Sequence, residues 1–141
     1  MADRALVMEQ LTPEMIDAGR DLLQRLEQDG MKIRTALWLL DGENGRWSLV
    51  LASPDVRTGG SLPLFKKASK HLARMGDPDY LPVYRVAIVD PKSTLLPLPS
   101  GSAGAVRGLA GQRVTNGWVG DAHVDDAYVY RVAPRRVRAT A

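Results

Sequence analysis

Ile33-Arg-Thr-Ala-Leu-Trp-Leu-Leu-Asp-Gly-Glu-Asn-Gly-Arg-Trp-Ser-Leu-Val-Leu-Ala52 is the stretch whose reading decides the fold. The span 33–40 predicts a strand. Its second half is apolar on both faces, which places it near the centre of a sheet. The loop Asp41-Gly-Glu-Asn-Gly45 is rich in residues that tolerate positive φ. The span 46–52 predicts a second strand, with Trp47, Leu49 and Leu51 on one side, because a strand sends alternate residues to the same face. Two strands joined by a short Gly-rich loop make an antiparallel hairpin. Trp38 and Trp47 flank the loop, and their expected role is core or cross-strand packing.

Upstream, Thr12 is a good N-cap, Pro13 suits the first helical position, and Glu14 favours the positive helix start. Met15, Ile16, Leu22, Leu23 and Leu26 share one face at helical spacing, and Gly30 is the natural stop. Residues 1–11 read as a loose arm able to dock Leu6, Val7 and Leu11. Downstream, Ser53-Pro54 ends the second strand and 55–60 reads as a loop. A second helix is expected over 62–75, with Leu64, Phe65, Ala68, Leu72 and Met75 inward and Lys66, Lys67, Lys70 and Arg74 on the rest. A strand is expected over 83–89, and the intervening helix permits a crossover that lays it parallel to the second strand. The span 97–111, rich in Pro, Gly and Ser, fits a short helix or a binding loop. Two last strands follow at 113–119 and 124–132, with Asn116-Gly117 as a turn or bulge. The tail 134–141 is basic and frayed.

The 141 residues suit a single domain, 1–141, and include no cysteine, which excludes disulfides, thiol chemistry and Cys-based zinc sites. No apolar run approaches the ~20 residues that span a bilayer, and the N-terminus lacks a signal-type apolar core, so a cytoplasmic protein without membrane contact is expected. The net charge of +3 is uneven: residues 1–60 carry seven basic and ten acidic side chains, residues 61–141 twelve and six. A basic half can signal an anionic partner. Lys66, Lys70, Arg74, Arg135, Arg136 and Arg138 are the residues that would track a phosphate backbone. Fourteen arginines against five lysines, with frequent Ala, Gly and Val, also follow from GC-rich coding. No nucleic-acid motif joins the charge, so nucleic acid is disfavoured.

Potential ligands and acid/base groups gather at Asp121-Ala-His-Val-Asp-Asp126. Strand alternation would put Asp121, His123 and Asp125 on one face, where they could meet a divalent ion. A further ligand would have to come from elsewhere, with Asp41 and Asp90 as candidates at strand ends. A solvated strand face explains the same residues. A restriction-type nuclease core would need an acid and Glu-x-Lys on the hairpin, and Trp47-Ser-Leu-Val-Leu-Ala-Ser53 has neither. His71 sits among lysines, Ser53 has no placed base, and no nucleophile elbow occurs. Gly101-Ser-Ala-Gly-Ala-Val-Arg-Gly108 lacks the lysine-Ser/Thr ending of a P-loop. No cofactor or metal is called for.

Thr12-Pro-Glu-Met-Ile-Asp-Ala-Gly19, Ala36-Leu-Trp-Leu-Leu40, Leu51-Ala-Ser-Pro54 and Val124-Asp-Asp-Ala-Tyr-Val-Tyr-Arg131 together resemble a group of small bacterial proteins of unknown function. The resemblance implies a single bacterial cytosolic domain and no activity.

The expected fold is α+β: a two-layer sandwich in which about five mostly antiparallel strands carry two main helices on one face, in the order α-β-β-α-β-(α)-β-β. The expected function is a non-enzymatic interaction or accessory module that forms a homodimer or binds another protein. The span 124–132 is the expected sheet edge, with Tyr128 and Tyr130 at the interface. An enzyme using Asp121, His123 and Asp125 is the alternative, and nucleic-acid binding through the basic half is a second.

Overall fold

The computed structural model describes residues 9–41, 43, 45–76, 78–79, 81–91, 111–119 and 122–132. The first helix, α1, runs Pro13–Gln28, and Thr12 Oγ1 accepts the Met15 N–H at 3.1 Å as its N-cap. Met15, Ala18, Gly19, Leu22, Leu23 and Leu26 are buried along its inner face. Gly30, at φ 92°, turns the chain out of the helix.

The hairpin forms as its sequence requires. Strand β1 (Thr35–Asp41) pairs antiparallel with β2 (Arg46–Ala52), from Thr35 opposite Ala52 to Asp41 opposite Arg46. The first strand begins at Thr35, two residues later than the apolar pattern suggests. A four-residue helix, α2 (Val56–Gly59), occupies the span read as a loop. The helix α3 (Leu62–Arg74) then crosses over to β3 (Val86–Val89), which lies parallel to β2. Strands β4 (Gln112–Val119) and β5 (Ala122–Val132) pair antiparallel. The sheet order is β3-β2-β1-β5-β4, so the α+β class, the sheet of five strands and the helices on one face all stand as expected.

Two expectations need correcting. The strand expected from residue 83 opens instead with a 3-10 turn, Val83–Arg85, and pairing starts at Val86. Arg85 reaches across to Glu9 and the Trp47 carbonyl, and this holds the backbone in a turn. The span 124–132 is not an edge. Strand β5 takes the free side of β1, and β4 takes its outer side. Both faces of β5 are accordingly occupied, by Tyr128 and Tyr130 towards the helices and by buried Ala127 and Val129 on the other side. The span 97–110 and the tail 134–141 lie outside the described residues, as do Leu6 and Val7 of the N-terminal arm.

Alternation divides the core. Ala36, Trp38, Trp47, Leu49, Leu51, Val86 and Ile88 meet the apolar faces of α1 and α3. Leu37, Val50, Ala52, Ala127 and Val129 are buried on the opposite face. Trp38 and Trp47 are both core residues.

A β-bulge locks α1 to the sheet. Ala36 faces Arg131 but Leu37 faces Val129, so Tyr130 is the extra residue. Its hydroxyl accepts from Trp38 Nε1 at 2.8 Å and donates to the Ile16 carbonyl at 2.5 Å. The space for this comes from Gly19. A Cβ there would sit inside contact distance of Tyr130 Oη and 2.9 Å from Trp38 Nε1. Desolvation drives the phenol pKa well above its usual value.

Residues 9–11 are tied to the hairpin. Leu11 is buried, Glu9 N donates to Gly45 O at 2.9 Å, and Trp47 Nε1 donates to Glu9 O at 2.9 Å. The Glu9 carboxylate takes two hydrogen bonds from Arg85, at 2.6 and 2.8 Å.

Candidate functional site

The acidic strand is only partly assembled as a site. Asp125 lies exposed on β5, Asp121 is outside the described residues, and of His123 only the backbone place, opposite Trp118, is described. Asp41 ends β1, and continuing the β1–β5 register brings it towards Asp125 on the same face. Its carboxylate accepts the Glu43 N–H at 2.8 Å. Asp90 follows β3 at the other end of β2, about 20 Å away by strand rise. It is held bidentate by Arg57, at 2.9 and 3.1 Å from Nε. Asp41 and Asp90 therefore cannot ligate one ion. Among the described residues no group of three or more His, Asp or Glu side chains is placed to hold a metal.

Asp126 points to the other face and forms a closed unit. Arg113 donates to it through Nε at 3.0 Å and Nη2 at 2.7 Å, and Thr115 Oγ1 donates at 3.1 Å. Burial opposes its ionisation, but the hydrogen bonds from Arg113 and Thr115 outweigh that and hold the carboxyl below the usual range. The Arg113 guanidinium also lies 5.5 Å from the Trp47 ring centroid. All the strong groups of this unit are spent on one another, which is the chemistry of a structural ion pair. Glu9 is alike: the Arg85 hydrogen bonds lower its pKa against the effect of burial.

Tyr128 and Tyr130 meet edge-on at 5.2 Å beneath α1, where Arg20 reaches both. Tyr130 is engaged by its two hydrogen bonds, and Tyr128 is half-buried. Neither lies on a sheet edge.

Of the basic candidates, Lys66, Lys70 and Arg74 are exposed on α3, whereas Arg135 and Arg136 lie outside the described residues. Lys67 and Lys70 are close enough to Asp29 to help depress its carboxyl, after the larger effect of its bond to His71. Lys66 and Arg74 carry no ion pair among the described residues.

A groove that the sequence reading does not single out lies beside this face. It has a volume of about 390 Å³ and runs between α3 and the 3-10 turn, with walls from Leu72, Leu81, Pro82 and Val83. Ser69, Pro78, Asp79 and Tyr84 complete its lining, with Ser69, Asp79 and Tyr84 exposed. Tyr84 is 72% exposed, a consequence of the turn, and Arg85 approaches its ring at 6.0 Å. Leu62, two helical turns before Ser69 on the same stripe, is 61% exposed. The signal for this groove in the sequence is Leu81-Pro-Val-Tyr84. A strand assigned from Val83 hides it, because it makes Tyr84 an ordinary outward residue.

Among the described residues no helix is long and apolar enough to cross a membrane. No family model, no curated protein and no solved structure matches the chain, so its functional reading rests on its own geometry.

Proposed function

We propose that this chain is an interaction module that binds a protein partner, or a second copy of itself, through the groove between α3 and the 3-10 turn. One observation carries this reading: Tyr84, a large side chain 72% exposed, stands beside an open groove of about 390 Å³ between α3 and the 3-10 turn. An exposed tyrosine is a typical interface anchor, because it offers a large rigid surface at small entropic cost. The groove has no convergent set of acid, base and nucleophile. Its polar side chains are Ser69, Asp79 and Tyr84, which favours recognition over catalysis. A cytoplasmic setting goes with this reading and with the absence of cysteine.

Site-specific photo-crosslinking in cells tests it. A benzophenone amino acid replacing exposed Ser69 should give a discrete adduct, at twice the chain mass for a second copy and at another mass for a different partner. The adduct should vanish with Tyr84→Ala. A probe replacing exposed Gln112 on β4 serves as control. Equal adducts from both positions, or none from Ser69, would remove the groove as the binding site.

A further inference from the structure

We propose that the sheet face opposite the helices is a docking surface for this chain's own residues 92–110, which lie outside the described residues. The apolar patch on that face consists of Leu37, Val50, Ala52, Ala127 and Val129. The half-buried side chains packed beside it, Leu39, Val89 and Val114, also come from strands. The helices α1 and α3 pack on the other face. Strand side chains stand roughly perpendicular to their sheet, so neighbours within the sheet do not cover their tips. Yet Leu37, Ala52, Ala127 and Val129 are 0% exposed. An apolar sheet face reaches such burial only against a further element packed upon it.

Burial fades along the strands and so marks which end of the face is covered. On β1, Thr35 and Leu37 are buried, Leu39 is half-buried and Asp41 is exposed. Their β2 partners Ala52, Val50, Ser48 and Arg46 repeat that series. On β5, Val129 and Ala127 are buried and Asp125 is exposed. The covered end is the one where residues 92–110 leave and rejoin the sheet. They follow Val89 of β3, which lies level with Ala52, and they precede Gln112 of β4, which stands opposite Val129. The Gly111 N–H, directly after the segment, donates to the Val129 carbonyl at 2.6 Å.

Length and composition select the same occupant. In the order β3-β2-β1-β5-β4, the strands that the segment joins are four spacings apart, about 19 Å. About six extended residues would bridge that distance, and the segment has nineteen. Leu95, Leu96, Leu98, Val106 and Leu109 give it apolar surface to bury, and its charged residues are Lys92 and Arg107 alone. The tail 133–141 starts from the same end of the sheet, but three of its nine residues are arginines. Residues 1–8 join at Glu9, whose N–H donates to the Gly45 carbonyl beside the opposite, exposed end. A second copy of the chain is the remaining competitor for the face.

The chain has no cysteine, so single introduced thiols can report on each face. Val50→Cys probes the proposed docking face and Ile88→Cys the helix side, both at positions 8% exposed. Each is made in the full chain and in a chain whose residues 92–110 are replaced by a Gly/Ser linker of equal length. The rate of reaction with a water-soluble disulfide reagent is then measured. Replacement should speed reaction of Val50→Cys by about tenfold or more and leave Ile88→Cys protected. Protection of Val50→Cys that survives replacement overturns the proposal. Where both thiols become reactive the replaced chain has unfolded, and crosslinking in the intact chain decides. A diazirine amino acid at Leu98, followed by digestion and mass spectrometry, should link within one chain to residues 35–39, 48–52 or 127–129. Links to α1 or α3, or no link, overturn the proposal. Links found only between two chains overturn it as well and assign the face to a second copy.

Discussion

The Tyr130 hydroxyl sits where helix and sheet meet, and its two hydrogen bonds depend on a missing side chain at Gly19. Gly19→Ala places a methyl group against that hydroxyl and Trp38 Nε1. The neighbour is a ring fixed by two bonds, so it cannot swing aside cheaply. A loss of about 1–3 kcal/mol is expected from overpacking, read by urea denaturation. Tyr130→Phe removes the clashing oxygen and leaves Trp38 Nε1 without its partner, at a cost of about 1–3 kcal/mol. Combined, the two changes should cost less than their sum, because Tyr130→Phe makes room for the methyl group that Gly19→Ala adds. Strict additivity would show that the close approach is relieved in some other way. Nothing in the sequence marks Gly19 or Tyr130 for this role: the first reads as a helix residue of low propensity, the second as an interface tyrosine of the last strand.

At the scale of elements, α1 is held by its buried stripe. Leu23→Ala should cost about 2–5 kcal/mol, as for other core truncations. A loss below about 0.5 kcal/mol in chemical denaturation would mean that the helix is not docked through this face. The helix was legible because a cap, an N1 proline and a 3.6-residue stripe all agree. The hairpin was legible for the same kind of reason, since period-two apolar residues flank a Gly-rich loop. Strand β3 was legible only in its second half. Arg85 has a distant partner in Glu9, and that pair, invisible in local sequence, turns Val83–Arg85 out of the strand. The exposure of Tyr84, and with it the candidate groove, follows from that turn.

For the whole molecule, two carboxylates tie distant segments and give stability a dependence on acid. Glu9 joins the N-terminal segment to the start of β3, and Asp126 joins β5 to Arg113 of β4. Both carboxyls have folded pKa values below their unfolded ones. Their contribution is complete above the unfolded values of about 4 and is lost as pH falls through the lowered folded values. Urea midpoints should therefore hold steady at neutral pH and drop as solutions are acidified below about pH 4. Asp126→Asn should lower the neutral midpoint and flatten the acid limb. An acid limb of the same steepness in the variant would mean that Asp126 is not among the groups responsible.

The sequence by itself determined the class and most of the elements, because caps, periodicity and turn residues are local signals that act within a few residues. It also marked Trp38 and Trp47 as core and Lys66, Lys70 and Arg74 as an exposed helix face. Only the tertiary structure decided where β5 goes. A strand apolar on both faces can lie at any interior position, and nothing local tells 124–132 that the open side of β1 will accept it. Pairing with β1 on one side and β4 on the other makes it interior, and among the described residues β3 and β4 are the outer strands. The candidate site divides in the same way. Ser69 and Leu72 are set one helical turn apart by local geometry, whereas the groove they line exists only because α3 and the Arg85 turn are brought together by contacts between residues far apart in the chain.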